Sequence, residues 1–194
     1  MEKEKLYDSW ANRNPEWESR YEESILRTFC DYGRGANQFI DVRGKIFGAA
    51  YEILIIAFFI GLYYDQRKPL TTDASRKKTL GQPIKFWGNL DSKPGRIAYP
   101  KLRNYIFAAL VARTDLDFLA LDKGEMTLRQ AVDKLMTTME EYINWGLDFM
   151  TEKMEENPNC FFKETAFLRV FQEIIAAKEP VSESGDDDMP EPLD

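Results

Sequence analysis

The chain has no histidine among its 194 residues and only two cysteines, Cys30 and Cys160. Without imidazole there is no Ser-His-Asp or Cys-His triad, no His-ligated zinc, no haem on a histidine axial ligand and no imidazole base near neutral pH. Two thiolates cannot complete a four-thiolate zinc or iron–sulfur site within one chain. They are also too few and too distant for a disulfide framework, so reduced thiols and a cytoplasmic location are expected. The start, Met1 to Lys5, is charged and lacks the apolar stretch of a secretory signal. Internal repeats and convincing period-two strands are missing as well. Gly33-Arg34-Gly35 lacks the preceding strand and third glycine of a dinucleotide fingerprint, and its expected role is a helix-ending turn.

What is present suits one domain. A 44% hydrophobic and 13% aromatic content is too high for a chain disordered throughout. The run Ile46 to Tyr64 contains a single charge, Glu52. At about 1.5 Å per residue it would reach about 28 Å, near the thickness of a bilayer core. A mid-run acid is expensive in lipid, Gly48 and Gly61 weaken the helix, and other apolar helices need a central partner. A buried core helix with no membrane contact is therefore expected.

Proline marks the organisation. The nine prolines leave residues 16–68 and 101–157 free, and long helices belong there because a helix interior rejects proline at about 3 kcal/mol. Pro15, Glu16 and Glu18 read as a helix start, and Trp17, Tyr21, Ile25 and Phe29 form its apolar stripe. Asp41 is the expected N-cap of a second helix ending near Tyr64. A third helix begins at Tyr99-Pro100 and a short one spans about Leu116 to Leu121, closed by Lys123-Gly124. Thr127 caps the next, whose Leu128, Val132, Leu135, Met139, Tyr142, Gly146 and Phe149 alternate steps of four and three. A last helix runs from about Lys163 to Ala177. Pro83 to Leu90 reads as a small hairpin arm with Arg96 to Tyr99. The expectation is an all-α single-domain bundle of five or six helices over residues 1–178, with an acidic, disordered tail at 179–194.

Charge is unevenly spread. Residues 65–104 hold 10 bases and 3 acids, whereas residues 105–194 hold 8 bases and 20 acids. Lys and Arg interleaved with Phe86 and Trp87 match the composition used for phosphate contact with aromatic stacking. The candidate contacts to nucleic acid or a partner are Arg67, Lys68, Arg76, Lys77, Lys78, Lys85, Trp87, Arg96, Lys101 and Arg103. The competing reading is that these bases neutralise acids of the same chain.

Catalytic signals are generic, and no catalytic residue, metal ligand or cofactor is assigned. Asp115 and Asp117, or Glu140 and Glu141, offer carboxylates for Mg²⁺ beside a phosphate. Asp91-Ser92-Lys93 has nuclease-like spacing but no strand to carry it. Glu52 is the buried charge of interest, with Arg43 or a base of the 65–104 segment as partner, or protonated with a raised pKa. The wide apolar face of the long helix (Met136, Met139, Tyr142, Trp145, Phe149, Met150, Met154) suggests core plus a homo-oligomer contact.

Phe47, Ala50 to Ala57, Gly61-Leu62 and Arg67-Lys68-Pro69-Leu70 together resemble the phenylalanine, alanine, leucine-glycine, basic, proline-leucine run of a small family associated with DNA-phosphorothioation (Dnd) systems. Glu141-Tyr142-Ile143-Asn144-Trp145-Gly146-Leu147 is similar to that family's Glu-Tyr-Ala-Asn-Gly-Gly-Leu block, departing at Ile143 and Trp145. The likeness covers about Asn37 to Met150. It implies an accessory role beside bacterial systems that replace a backbone phosphate oxygen with sulfur and restrict invading DNA. It brings no catalytic residues. Three functions are thus expected in competition: a non-enzymatic accessory protein of DNA modification or phage defence that binds DNA or a defence-complex partner, a His-free Mg²⁺-dependent phosphodiesterase or nuclease, and a structural homo-oligomerisation module.

Overall fold

Two glycines set how the two longest helices meet. The apolar run forms α3 (Ala50–Tyr64) and the four-three pattern forms α6 (Leu128–Glu156). A Cβ on Gly146 would stand 2.0 Å from the carbonyl oxygen of Ala57, and one on Gly61 would stand 2.4 Å from that of Tyr142. Residues 57 to 61 therefore run against 146 to 142. The helices are antiparallel and touch backbone to backbone, an approach that only a missing side chain permits. Ile53, Leu54, Phe58, Leu135, Met139 and Ile143 fill the interface around that crossing and are fully buried.

The computed structural model describes residues 5–30, 47–90, 97–163 and 165–178. Around the α3–α6 pair lie α1 (Leu6–Ala11), α4 (Leu102–Arg113), α5 (Phe118–Lys123) and α7 (Ala166–Lys178). The result is a mostly α single domain. No described helix is long and apolar enough to cross a membrane.

Caps explain several boundaries. The Thr127 hydroxyl accepts from the Gln130 N–H while the Gln130 side chain accepts from the Thr127 N–H, a reciprocal pair that starts α6. Asp117 caps α5 by accepting from the Ala120 N–H at 2.8 Å. Gly124 ends that helix at φ 78°.

The N-terminal segment departs from expectation. The helix expected from Pro15 begins only at Glu22, as a π-helical turn (Glu22–Leu26) that runs into α2 (Arg27–Phe29). Glu16–Glu18 instead form β1, antiparallel to β2 (Lys77–Thr79), with Trp17 opposite Lys78. The stripe is nevertheless buried as read: Trp17, Tyr21, Ile25 and Phe29 all face the core. Helix α1 was not expected from the sequence; Trp10 anchors it beside Tyr7 and Phe107, with ring centroids 5.7 and 5.3 Å away.

Phe47 pairs with Cys30 in an isolated parallel bridge, so α3 starts at Ala50 rather than near Asp41. Ile84–Phe86 form a 3₁₀ turn in place of a strand, and the arm is closed by the Tyr99 N–H donating to the Gly88 carbonyl at 2.9 Å. Gly33, Gly35, Asp41, Arg43, Asp91, Lys93, Arg96 and the tail 179–194 lie outside the described residues.

Candidate functional site

Four bases of the segment meet carboxylates from elsewhere in the chain. Lys68 pairs with Asp148 and Lys78 with Glu22. Lys77 reaches Glu16 at 3.1 Å, and Arg67 lies 3.8 Å from Glu141 and 5.8 Å from the Tyr142 ring centroid. Arg76 is exposed beside Asp73, and its carbonyl accepts from the Ser19 N–H at 2.8 Å. The Lys85 ammonium lies 5.1 Å from the Phe86 ring centroid. Lys101 is exposed just before α4, and the Arg103 guanidinium donates to the Pro100 carbonyl at 3.1 Å. Trp87 belongs to the core: it is 1% exposed, stacks on Tyr51 at 5.5 Å and donates its indole N–H to the Gln82 carbonyl. Its ring is withdrawn from the surface, where a base would have to stack.

Arg67 to Leu70 are fastened to α6 through Asn144, which is 1% exposed. Its amide donates to Glu18 Oε1 and to the carbonyls of Lys68 and Pro69 at 3.0 to 3.2 Å. The Lys68 N–H donates to the Glu141 carbonyl at 3.1 Å. Arg20 bridges Glu18 and Asp148 at 2.7 and 2.8 Å. Burial pushes the Glu18 and Asp148 carboxyls upward, but their donors win. The Thr71 N–H, Arg20 and Asn144 hold Glu18 below the usual carboxylate range, and Lys68, Arg20 and Tyr21 do the same for Asp148. This node joins β1, the 67–71 segment and α6.

Glu52 occupies the first turn of α3, not the middle of a helix. Its Oε2 accepts from the Ala49 N–H at 3.1 Å and its Oε1 from the Tyr99 hydroxyl at 2.8 Å. A carboxylate at a helix N-terminus also suits the macrodipole. The Tyr99 hydroxyl is pushed above its ordinary pKa, by burial first and then by Glu52.

The carboxylates considered for catalysis separate. Glu140 Oε1 accepts from the Glu16 N–H at 2.9 Å, and burial raises its carboxyl to about 7 against that bond and the pull of Lys77 and Arg13. Glu141 points elsewhere and lines an open groove of about 690 Å³ between α6 and the α4–α5 connection, together with Asp115, Asp117 and Arg67. Among the described residues, no group of three or more acids or thiols is arranged to hold a metal ion.

The groove also gathers residues that sequence reasoning missed. Thr114, Glu125, Met126, Asp133, Lys134 and Thr138 line it. The Lys134 ammonium donates to the Asp115 carbonyl at 3.2 Å, and Asp133 pairs with Arg13 at 2.7 Å. The Thr114 hydroxyl is buried without a hydrogen-bond partner. Thr138 is 5% exposed, and no hydrogen bond to its hydroxyl occurs among the described residues. No period singles out these two threonines; they line one groove because the turns after α4 lie against α6.

Most of the apolar surplus of α6 packs inside the chain, while Trp145, Phe149 and Met154 stay partly exposed. Met136, Met139 and Met150 are buried, and Trp145 and Phe149 pack on Tyr64 with centroids 5.3 and 5.2 Å away. Searches against family models, curated proteins and solved structures found no match to the chain.

Proposed function

We propose that the protein is a non-enzymatic interaction component, an accessory of a bacterial DNA-modification or phage-defence system, whose first contact is a partner protein rather than DNA. The observation that carries this reading is the ion pairing of Arg67, Lys68, Lys77 and Lys78 with Glu141, Asp148, Glu16 and Glu22. Non-specific DNA affinity arises when free Lys and Arg replace counterions on phosphates. Here four of the bases would first have to leave a carboxylate of their own chain, in a protein of net charge −7.

Two further observations support the reading. The blocks that carry the family resemblance meet in space, Asn144 and Glu141 holding Lys68 and Pro69. At the end of the basic segment, Ile97 and Tyr105 are 89% and 68% exposed, the kind of apolar and aromatic surface found at protein interfaces.

The test is co-purification of the protein with each protein encoded by its neighbouring genes, with and without nuclease. A nuclease-resistant complex with one of them is expected. Two results would overturn the proposal. One is direct binding to duplex DNA whose salt dependence flattens when Arg76, Lys77 and Lys78 are charge-reversed. The other is cleavage of DNA in the presence of Mg²⁺ or Mn²⁺.

A further inference from the structure

We infer that the groove between α6 and the α4–α5 connection is a binding site for an alkylammonium group, and this does not rest on the interaction reading. Between Thr114 and Phe118 the chain makes two tight turns, the Leu116 N–H donating to the Thr114 carbonyl at 2.9 Å and the Phe118 N–H to the Leu116 carbonyl at 3.1 Å. Asp115 and Asp117 are the central residues of these turns. Both line the groove, and Glu125 lines it as well.

Asp117 spends one oxygen on the α5 cap, and the carboxylates of Asp115 and Glu125 form no ion pair among the described residues. Of the two cations at the groove, Arg67 lies 3.8 Å from Glu141 and Lys134 bonds the neutral Asp115 carbonyl, so Asp115, Asp117 and Glu125 face one uncompensated ammonium. The groove therefore favours a positive guest.

Acidic side chains alone do not make a site. The second observation is the pair of threonines. Thr138 is 95% buried, lines the groove and forms no hydrogen bond through its hydroxyl among the described residues, and Thr114, whose hydroxyl is buried and unpaired, lines the groove as well. Buried hydroxyls are normally satisfied, and an unsatisfied one calls for a ligand or water. An ammonium donates three hydrogen bonds and accepts none, which matches carboxylate and hydroxyl oxygens together. Met126 and Ala120 offer apolar wall for a methylene stem. The groove volume falls in the range of small-ligand sites, about 300–1,000 Å³. A free polyamine and the lysine side chain of a partner share this chemistry.

Calorimetric titration of the full chain at low ionic strength tests the site, with spermidine as one probe and the capped tripeptide Gly-Lys-Gly as the other. Saturable binding of at least one probe at a single site is expected; the tighter probe identifies the source. Asp115→Asn with Asp117→Asn should weaken binding about tenfold or more, since a charged hydrogen-bond acceptor is lost while asparagine still caps α5. Thr138→Val should weaken it several-fold while leaving the thermal midpoint unchanged or raised, because no protein hydrogen bond is broken. Glu155→Gln, an exposed acid at the far end of α6, should change nothing. The site is refuted if neither probe binds, if Glu155→Gln weakens binding equally, if Thr138→Val leaves affinity intact, or if Mg²⁺ binds there and excludes both probes.

Discussion

Gly146→Ala asks whether backbone contact sets the α3–α6 crossing. On helix propensity alone, alanine should stabilise the protein by about 1 kcal/mol over glycine. The crossing opposes that gain. A Cβ at 146 would stand 2.0 Å from the Ala57 carbonyl oxygen, whereas ordinary contact begins at 3.4 Å, so the helices must part by about 1.4 Å. The obstacle is backbone, and no side chain can swing aside to relieve it. A gap of about 1 Å already forfeits up to half of the dispersion well of each facing contact, along an interface lined by Ile53, Leu54, Phe58, Leu135, Met139 and Ile143. Taking the upper end of overpacking costs, about 3 kcal/mol, and subtracting the propensity gain leaves a net loss of about 2 kcal/mol. Urea unfolding followed by circular dichroism reads this directly. Gly61→Ala should behave alike, and the double variant should cost less than the sum, because one separation of the helices relieves both clashes. A Gly146→Ala protein as stable as the parent, or more so, refutes the argument.

Two other variants probe the polar interior. Glu140, with its carboxyl raised to about 7, is protonated in folded and unfolded chains below about pH 4.5, and nothing is lost there. As pH rises towards 7 the unfolded chain releases its proton first, so stability falls. Glu140→Gln should match the parent near pH 4 and exceed it by about 1–3 kcal/mol near pH 8, one pKa unit being about 1.4 kcal/mol. Parallel stability curves across that range would sink the assignment. Asn144→Ala should cost about 2–4 kcal/mol, since Glu18 and the Lys68 and Pro69 carbonyls lose their shared donor. Asn144→Asp should be worse still at neutral pH, with the difference from alanine narrowing in acid; thermal melts at two pH values would show it, and equal melts would refute it.

Much of the fold was legible because α6 and α3 declare themselves through pattern and apolar content. Leu135, Met139 and Tyr142 are buried as their spacing requires. The N-terminal segment misled because a four-residue spacing is compatible with more than one backbone. Trp17 and Tyr21 reach the same core from a strand and the turn after it, and β1 exists only because Lys77–Thr79, about 60 residues away, pairs with it. Distance in sequence also hid the site. Composition shows a basic segment but not that Lys68 meets Asp148 or that Lys77 meets Glu16. Asp115, Asp117 and Glu141 were visible as separate acids. Their shared groove, and the threonines inside it, depend on how the chain after α4 lies along α6. Gly61 and Gly146 could be read as weak points of two helices, yet their reciprocal fit appears only once the helices are brought together.

The pairing of β1 with β2, and of α1 with α6, bears on how the chain assembles. Trp10 and Trp17 are fully buried, yet what covers them arrives late: Lys78 lies opposite Trp17 and α6 begins at Leu128. During synthesis from the N-terminus, two indoles wait in solvent for more than half of the chain to emerge. Closing such long loops carries an entropy cost before any contact repays it. Residues 5–30 therefore cannot complete their packing before α6 has emerged.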